Sequence, residues 1–437
     1  MDREHPVVIK LMALEFLIPV ALSVSETVVR SMGFDEKVAM ALRLATEEIF
    51  CYLCRQGSGS TEVKLSFSRG YYYASIEFVF DARDFPMKAF NLTATADAED
   101  ESCETGLILA SRAVDRFKFS SDGNNLCLVI TKEKDYPPMA EGAVPAAVPL
   151  KEFSLKRPDS EELKLFLRML SQYHNPARIH REFHVHGKVV DKMSCGELSC
   201  AIAVDKAGHI GGGILWHFYR EGLVMLFGPY LLGQTPESPI SVALLEHCIN
   251  NVARTHAIGI LAIQTFSPLP EGYFETIGTI YRYDRETGEK IERTLNYRYL
   301  REDPCGTMWC HPSIEPFLEQ QYRRLYIHRE LKHVSEAGEV STMSAVIITD
   351  IDKVMGAVQL FPVWWGPDAL EVLEEYVKVI VNDLSCYFIL FVMDLGKPWQ
   401  CLFTPALLST GFKPAVVVPH GARGDMVLFQ YNAESEP

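Results

Sequence analysis

At 437 residues, with 48% hydrophobic and 23% charged side chains, the chain has the composition of a folded protein and the length of about three ordinary domains. A formal net charge of −15 does not suggest the strongly basic surface that neutralises nucleic-acid phosphates, so no nucleic-acid partner is expected. No apolar run reaches the roughly 18 residues needed to span a bilayer, because LMALEFLIPVAL is broken by Glu15 and Pro19, and no membrane partner is expected.

The first piece reads helix, helix, hairpin, helix, hairpin. Apolar spacing from Leu22 to Met32 predicts a helix that stops at Gly33, and a second helix is predicted from about Asp35 to Cys54. EVKLSFS and YYASIEFVF follow as strands around an RGY turn. After the acidic DAEDESCE comes a helical TGLILASRAVDRF, then two strands around a turn at Asp122 and Gly123. Four prolines, Pro137, Pro138, Pro145 and Pro149, remove backbone donors from the alanine-rich stretch that follows, which predicts a linker over 135–150.

The segments of the first piece, about residues 10 to 134, resemble the GHKL ATPase fold in the small form of bacterial anti-sigma-factor serine kinases. The resemblance rests on EEIFCY, FDARDF and ETGLILASRAVD. It implies Glu48 as the general base for attack on the γ-phosphate, Asp81 as the acceptor of the adenine amine, and Gly106 in the lid over the phosphates. The family's Mg²⁺-binding Asn, one turn after the Glu, is Tyr52 here, and a neutral phenol is a poor Mg²⁺ ligand. Arg83 stands where a glycine is expected, and Asp97, Glu99, Asp100, Glu101 and Glu104 place like charges near a bound triphosphate. The resemblance therefore implies a degenerate ATP-binding domain over 1–134, with weak ATP or ADP binding and Glu48 as the only catalytic candidate. The residues also have structural alternatives: Glu48 within reach of Arg43 or Arg55, Asp81 as a strand-end turn residue, and Tyr52 as core.

The second piece, 151–303, opens on a helix that Asp159 or Ser160 can cap, with Leu163, Phe166, Leu167 and Leu170 on one face. LSCAIAVD, IGGGILWHFY and LVMLFGPYLL read as a three-stranded meander, followed by a helix from about Pro239 to His256 and a strand GILAIQTF. This order, with VDKAGHIGG at the first hairpin and the later GYFETIGTIY, resembles the GNAT acetyltransferase fold. That resemblance implies an acetyl-CoA pyrophosphate site in GQTPESPISVALL, where Gly233 and Ser238 are the cofactor-binding candidates. Pro236 and Pro239 remove two donors there and Glu237 adds an anion, so acetyl-CoA binding is expected to be weak.

The third piece, 311–437, predicts a hairpin AVIITDIDKVMGAVQLF, a helix from about Pro367 to Leu384, a strand CYFILFVMDL, a helix near Leu402 to Ser409 and a closing strand pair. LLSTGF resembles the GNAT helix–Gly-Phe junction, and the HGARG stretch from His420 to Gly424 reads as a hairpin loop. Cys51-x-x-Cys54 and CGTMWCH lack a second ligand pair at metal spacing, so the thiols read as structural and no metal is expected. The opening MDREHPVVIK has no apolar signal region, which fits a cytoplasmic chain with reduced thiols.

The expected fold class is thus α+β: a two-layer GHKL (Bergerat-type) α/β sandwich followed by two GNAT-like mixed α/β domains. The leading expectation is a bacterial signalling or regulatory protein whose modules bind a partner protein or small ligand. The alternatives are an N-acetyltransferase regulated by the first domain and an anti-sigma-type serine kinase.

Overall fold

The computed structural model describes residues 7–57, 61–81, 85, 90–91, 104–122, 125–137, 144–175, 179–263, 269–283, 290–336, 343–352, 357–382, 386 and 388–432. The acidic residues Asp97, Glu99, Asp100 and Glu101, together with Arg83 and the Gly123 turn, lie outside them. The chain is mixed α/β and divides into two compact units. One contains residues 1–135, 339–350 and 360–385; the other contains 136–338, 351–359 and 386–437.

In the first unit, β1 (Val7–Met12), β2 (Glu62–Arg69), β3 (Tyr73–Asp81), β4 (Arg116–Asp122) and β5 (Asn125–Glu133) form an antiparallel sheet in the order β1-β2-β3-β5-β4. The edge strand β1 has no counterpart in the sequence reading, and its alternating burial shows one face turned to the core. Helices α1 (Ile18–Ser31), α2 (Glu36–Gln56) and α3 (Glu104–Ala113) supply the second layer. Asp35 caps α2 by accepting from the Val38 amide at 2.9 Å, and the helix buries Val38, Ala39, Leu42, Ala45, Ile49 and Leu53. The predicted third helix overran its end: Arg116 and Phe117 are already in β4, where cross-strand pairing outweighs helix propensity. The unit's core also takes in Val346 and Val363 from far along the chain. Asn91 ties the first of these segments down, accepting from the Ile347 amide and donating to the Ala345 carbonyl.

In the second unit, β6 (Ser154–Lys156), β7 (Ser199–Val204), β8 (Ile210–Arg220), β9 (Leu223–Leu231), β10 (Gly259–Ile263), β11 (Glu275–Tyr283) and β12 (Lys290–Tyr299) form a seven-stranded sheet. Its order is β11-β12-β10-β9-β8-β7-β6, and the β9–β10 pair is parallel. Helices α4 (Ser160–Tyr173) and α5 (His186–Ser194) cover one face, where Leu163, Phe166, Ile202, Leu215 and Tyr230 pack together. Helix α6 (Pro239–Val252) covers the other face through Ile240, Leu244 and Leu245 against Ala201, Ile214 and Leu226. The capping box is complete: Asp159 accepts from the Glu162 amide while Glu162 accepts from the Asp159 amide. Helix α5 is absent from the sequence reading, because its short HGKVVDKMS carries too few apolar positions to show a period.

Further on, β13 (Thr307–Cys310) pairs in parallel with β14 (Glu330–His333), with α7 (Glu315–Arg324) between them in the chain. Strands β15 (Val346–Asp352) and β16 (Ala357–Trp364) straddle the division between the units, and helix α8 (Ala369–Asn382) belongs to the first. The second unit closes with β17 (Phe388–Asp394), α9 (Pro398–Cys401), α10 (Thr404–Ser409), β18 (Phe412–Val418) and β19 (Met426–Tyr431). Here β19 lies antiparallel to both β17 and β18, and 420–424 is the loop between β18 and β19. Among the described residues no helix is long and apolar enough to cross a membrane.

Candidate functional site

Two of the sequence candidates in the first unit meet. A Cβ placed on Gly106 of α3 would lie 2.8 Å from Glu48 Oε2, so the Glu48 carboxylate sits directly over the glycine. Partial burial raises the Glu48 pKa, the neighbouring Glu47 adds to the rise, and Arg55 opposes it. Arg43, an alternative partner for Glu48 in the sequence, pairs instead with Glu26 at 3.2 Å. Tyr52, one turn on, is fully buried and packs edge-on to Phe90 at 5.6 Å and against Phe85 at 6.3 Å. An aromatic cluster therefore fills the place where the GHKL resemblance requires a metal-binding amide. Asp81 ends β3 opposite Asn125.

The second unit holds a different arrangement, built around a bulge in the sheet. Among the described residues the parallel β9–β10 pairing ends at Leu226 opposite Ala262, while β9 continues to Leu231. Between Phe227 and Tyr230 the strand carries one residue more than β8, a bulge formed by Gly228 and Pro229. Gly228 has φ +97°, and a Cβ there would lie 2.8 Å from the Tyr230 amide, so only glycine fits. The bulge interrupts the β8–β9 ladder between Phe227 and Tyr230.

On the α4/α5 side of this bulge lies an aromatic and imidazole cluster that the sequence reading missed. His217 of β8 stacks on Phe227 at 5.5 Å with ring planes 8° apart, and His180 lies 4.8 Å from the same ring. Phe183 completes the cluster at 5.1 Å from Phe227. The His217 Nδ1 lies 3.1 Å from the Phe218 carbonyl, which can only accept, so Nδ1 carries the proton and Nε2 is left as the basic nitrogen. Burial lowers the His217 pKa, with the Phe218 hydrogen bond opposing. Burial also lowers His180, to about 4. Glu182, two residues on, is partly buried, which alone would raise its pKa; Lys192 and Lys188, at 2.5 and 3.3 Å, pull it down to about 2. The arrangement holds two neutral imidazoles beside a fixed ion-pair cluster. Single histidines so far apart in the chain carry no spacing signal; the pairing of β8 with β9 sets His217 beside Phe227, and the packing of the 180–183 segment adds His180.

The loop after β9 contains the other two sequence candidates. Gly233 has φ +67°, and a Cβ on it would lie 2.9 Å from the Ala147 carbonyl carbon. Ser238 is the N-cap of α6, its hydroxyl accepting from the Ile240 amide at 3.4 Å, with Pro239 in the first turn. Gln234 between them holds the 145–150 segment: its Oε1 accepts from the Leu150 amide at 3.1 Å, and its Nε2 donates to the Val148 carbonyl at 2.8 Å. The prolines and alanines of 144–150, expected to supply no packing, are thus docked; Val144 and Ala147 pack on the α4-side core and Leu150 on the α6-side core. Hydrogen bonds through the two amide atoms of one glutamine replace the contacts that side-chain volume would supply. The structure brings Gly233 and Ser238 into one loop and Glu48 and Gly106 into one corner, and the two places belong to different units.

Among the described residues no group of three or more His, Cys, Asp or Glu is placed to hold a metal.

No protein-family profile matches the chain, and no curated protein matches it in sequence. Solved structures similar to part of it include a GNAT superfamily phosphinothricin acetyltransferase from Sinorhizobium meliloti in complex with acetyl-CoA, at 16% identity and TM-score 0.30, covering 35% of this chain and 90% of that one. An acetyltransferase of the GNAT family from Staphylococcus aureus is 15% identical at TM-score 0.27, covering 34% of this chain and all of its own. An aminoglycoside 6'-acetyltransferase type Ii is 14% identical at TM-score 0.26, covering 35% of this chain and 99% of that one.

Proposed function

We propose that residues 144–303 form an acyl-transfer module, taking an acyl group from a pantetheine thioester such as acetyl-CoA and passing it to an amine. The observation that carries this reading is the Gly228–Pro229 bulge in β9, just beyond its described pairing with β10. An extended chain bearing amides, as pantetheine is, can hydrogen-bond to backbone groups that a bulge takes out of the ladder. The thioester then reaches the bulge, with His217 on the adjoining strand. The amine nitrogen attacks the thioester carbonyl, the N–C bond forms and the C–S bond breaks. His217 Nε2 takes the proton shed by nitrogen, and the leaving thiolate takes one from solvent.

Pro236, Pro239 and the exposed Glu237 still weaken phosphate binding at the loop, so the cofactor affinity is expected to fall short of that of a loop built from bare amides. The first unit supports kinase chemistry less well, because buried Tyr52 stands at the metal position; a regulatory role for that unit remains part of the proposal.

The test is titration of the whole chain with acetyl-CoA and, separately, with ATP and Mg²⁺, followed by an amine-acceptor assay. Acetyl-CoA raises the melting midpoint and ATP with Mg²⁺ does not. His217→Ala lowers kcat by about 10²-fold or more while leaving acetyl-CoA affinity within a few-fold. Because His217 must be neutral and its pKa is depressed, the acid limb of the kcat profile falls below pH 6.5 and is lost in the variant. No transfer to any amine, or an unchanged pH profile in His217→Ala, defeats the assignment.

A further inference from the structure

The 144–150 segment crosses the end of the sheet at which β9 finishes and α6 begins. Three independent features hold it there. Gln234 grips its backbone on both sides, accepting from Leu150 and donating to Val148. Tyr173, at the end of α4, accepts from the Ala147 amide at 3.0 Å and donates to the Pro145 carbonyl at 3.3 Å. Gly233 and Gly211 make room for it: a Cβ on Gly233 would lie 2.9 Å from the Ala147 backbone, and one on Gly211 would lie 2.6 Å from Leu150 Cδ1. A backbone held at this range leaves no layer of water between itself and the β9–α6 loop. Gly233 and Gln234 of the β9–α6 loop are already engaged by the protein's own chain.

We propose that residues 144–150 are a strap that competes with an acyl-CoA phosphate group for the β9–α6 loop, so that the folded chain holds its own acyl-transfer module closed. The inference rests on the acyl-transfer reading of this unit. Binding of the cofactor requires the strap to leave Gly233 and Gln234, and the energy of its docking is subtracted from cofactor affinity. Pro145 and Pro149 suit the role, because their fixed φ reduces the conformational entropy lost each time the segment docks again. Glu237, exposed on the same loop, repels phosphate and so favours the strapped state.

The experiment uses the full chain with CoA and acetyl-CoA as probes, comparing the natural sequence with Tyr173→Phe and with Tyr173→Phe/Leu150→Ala. Tyr173 lies outside the loop, so its loss loosens the strap without removing a loop contact. Limited proteolysis within 144–150 reports strap release on its own; calorimetry reports affinity. The expected result is cleavage that is faster in both variants, and faster still in the presence of CoA, with CoA binding about tenfold tighter in Tyr173→Phe. Faster cleavage with unchanged or weaker CoA binding overturns the strap and leaves the acyl-transfer reading standing. Absence of CoA binding up to millimolar concentration in every variant, with the strap demonstrably released, overturns both. Should the double variant fail to fold, Tyr173→Phe alone decides between these outcomes.

Discussion

Arg329 donates to both Asp425 oxygens, at 2.7 and 3.2 Å, and to Asp303 at 2.8 Å, with no part of its side chain exposed. Burial would lower its pKa, but the two aspartates raise it, so the guanidinium stays charged; burial would raise Asp303, and Arg329 lowers it. Asp425 further accepts from the His420 amide at 2.9 Å, which fixes the loop between β18 and β19, where His420 has φ +53°. Removing one partner of such a pair leaves an uncompensated buried charge, so Asp425→Ala is expected to cost about 3–5 kcal/mol in urea denaturation. Lys10 pairs with Glu62 at the same 2.8 Å, but both side chains are more than half exposed, and Glu62→Ala is expected to stay within about 0.5 kcal/mol. Equal losses in the two variants would contradict the role given to desolvation. The sequence read HGARG correctly as a hairpin loop, yet held no sign that its flanking Asp425 meets Arg329, 96 residues earlier. Ionic partners at that separation leave no periodic trace.

At the scale of elements, close approach rather than propensity decides which glycines are needed. Gly106 of α3 faces the end of the flexible Glu48 side chain, so Gly106→Ala displaces a carboxylate oxygen at little cost and gains up to about 1 kcal/mol of helix propensity. Gly213 of β8 faces a ring: its Cβ would lie 2.6 Å from Phe166 Cζ, and Phe166 is fully buried in α4. Gly213→Ala is expected to destabilise by about 1–3 kcal/mol, measured by chemical denaturation beside Gly106→Ala. A neutral Gly213→Ala would mean that α4 and the sheet are less closely packed than these distances require. The meander β7–β8–β9 and helix α6 were legible as elements because alternation, turn residues and the Ser238–Pro239 start all agree. The bulge was not, since Gly-Pro in a strand signals an irregularity without fixing its form.

For the whole molecule, the first unit is completed by chain far from it in sequence. Val346 and Val363 are almost fully buried in its core, each contributing about 1.5–3 kcal/mol. A fragment of residues 1–135 is therefore expected to exchange its α2 amides at least about 10²-fold faster than the full chain does, as read by hydrogen exchange. Identical protection would show that the later segments are dispensable for that core. The GHKL resemblance rests on short motifs, and what the structure adds is that Glu48 and Gly106 meet while Tyr52 turns inward.

Sequence alone determined the mixed α/β character, the positions of most helices and strands, and the helix starts at Asp159 and Ser238, because each depends on neighbours within a turn or two of chain. Tertiary structure alone decided where β9 bulges, that His217 and His180 flank Phe227, that residues 144–150 dock on Gln234, and that 339–350 and 360–385 join the first 135 residues. Those outcomes are set by strand register and by packing between segments tens to hundreds of residues apart, and pairwise contacts at such distances impose no pattern on the local order of amino acids.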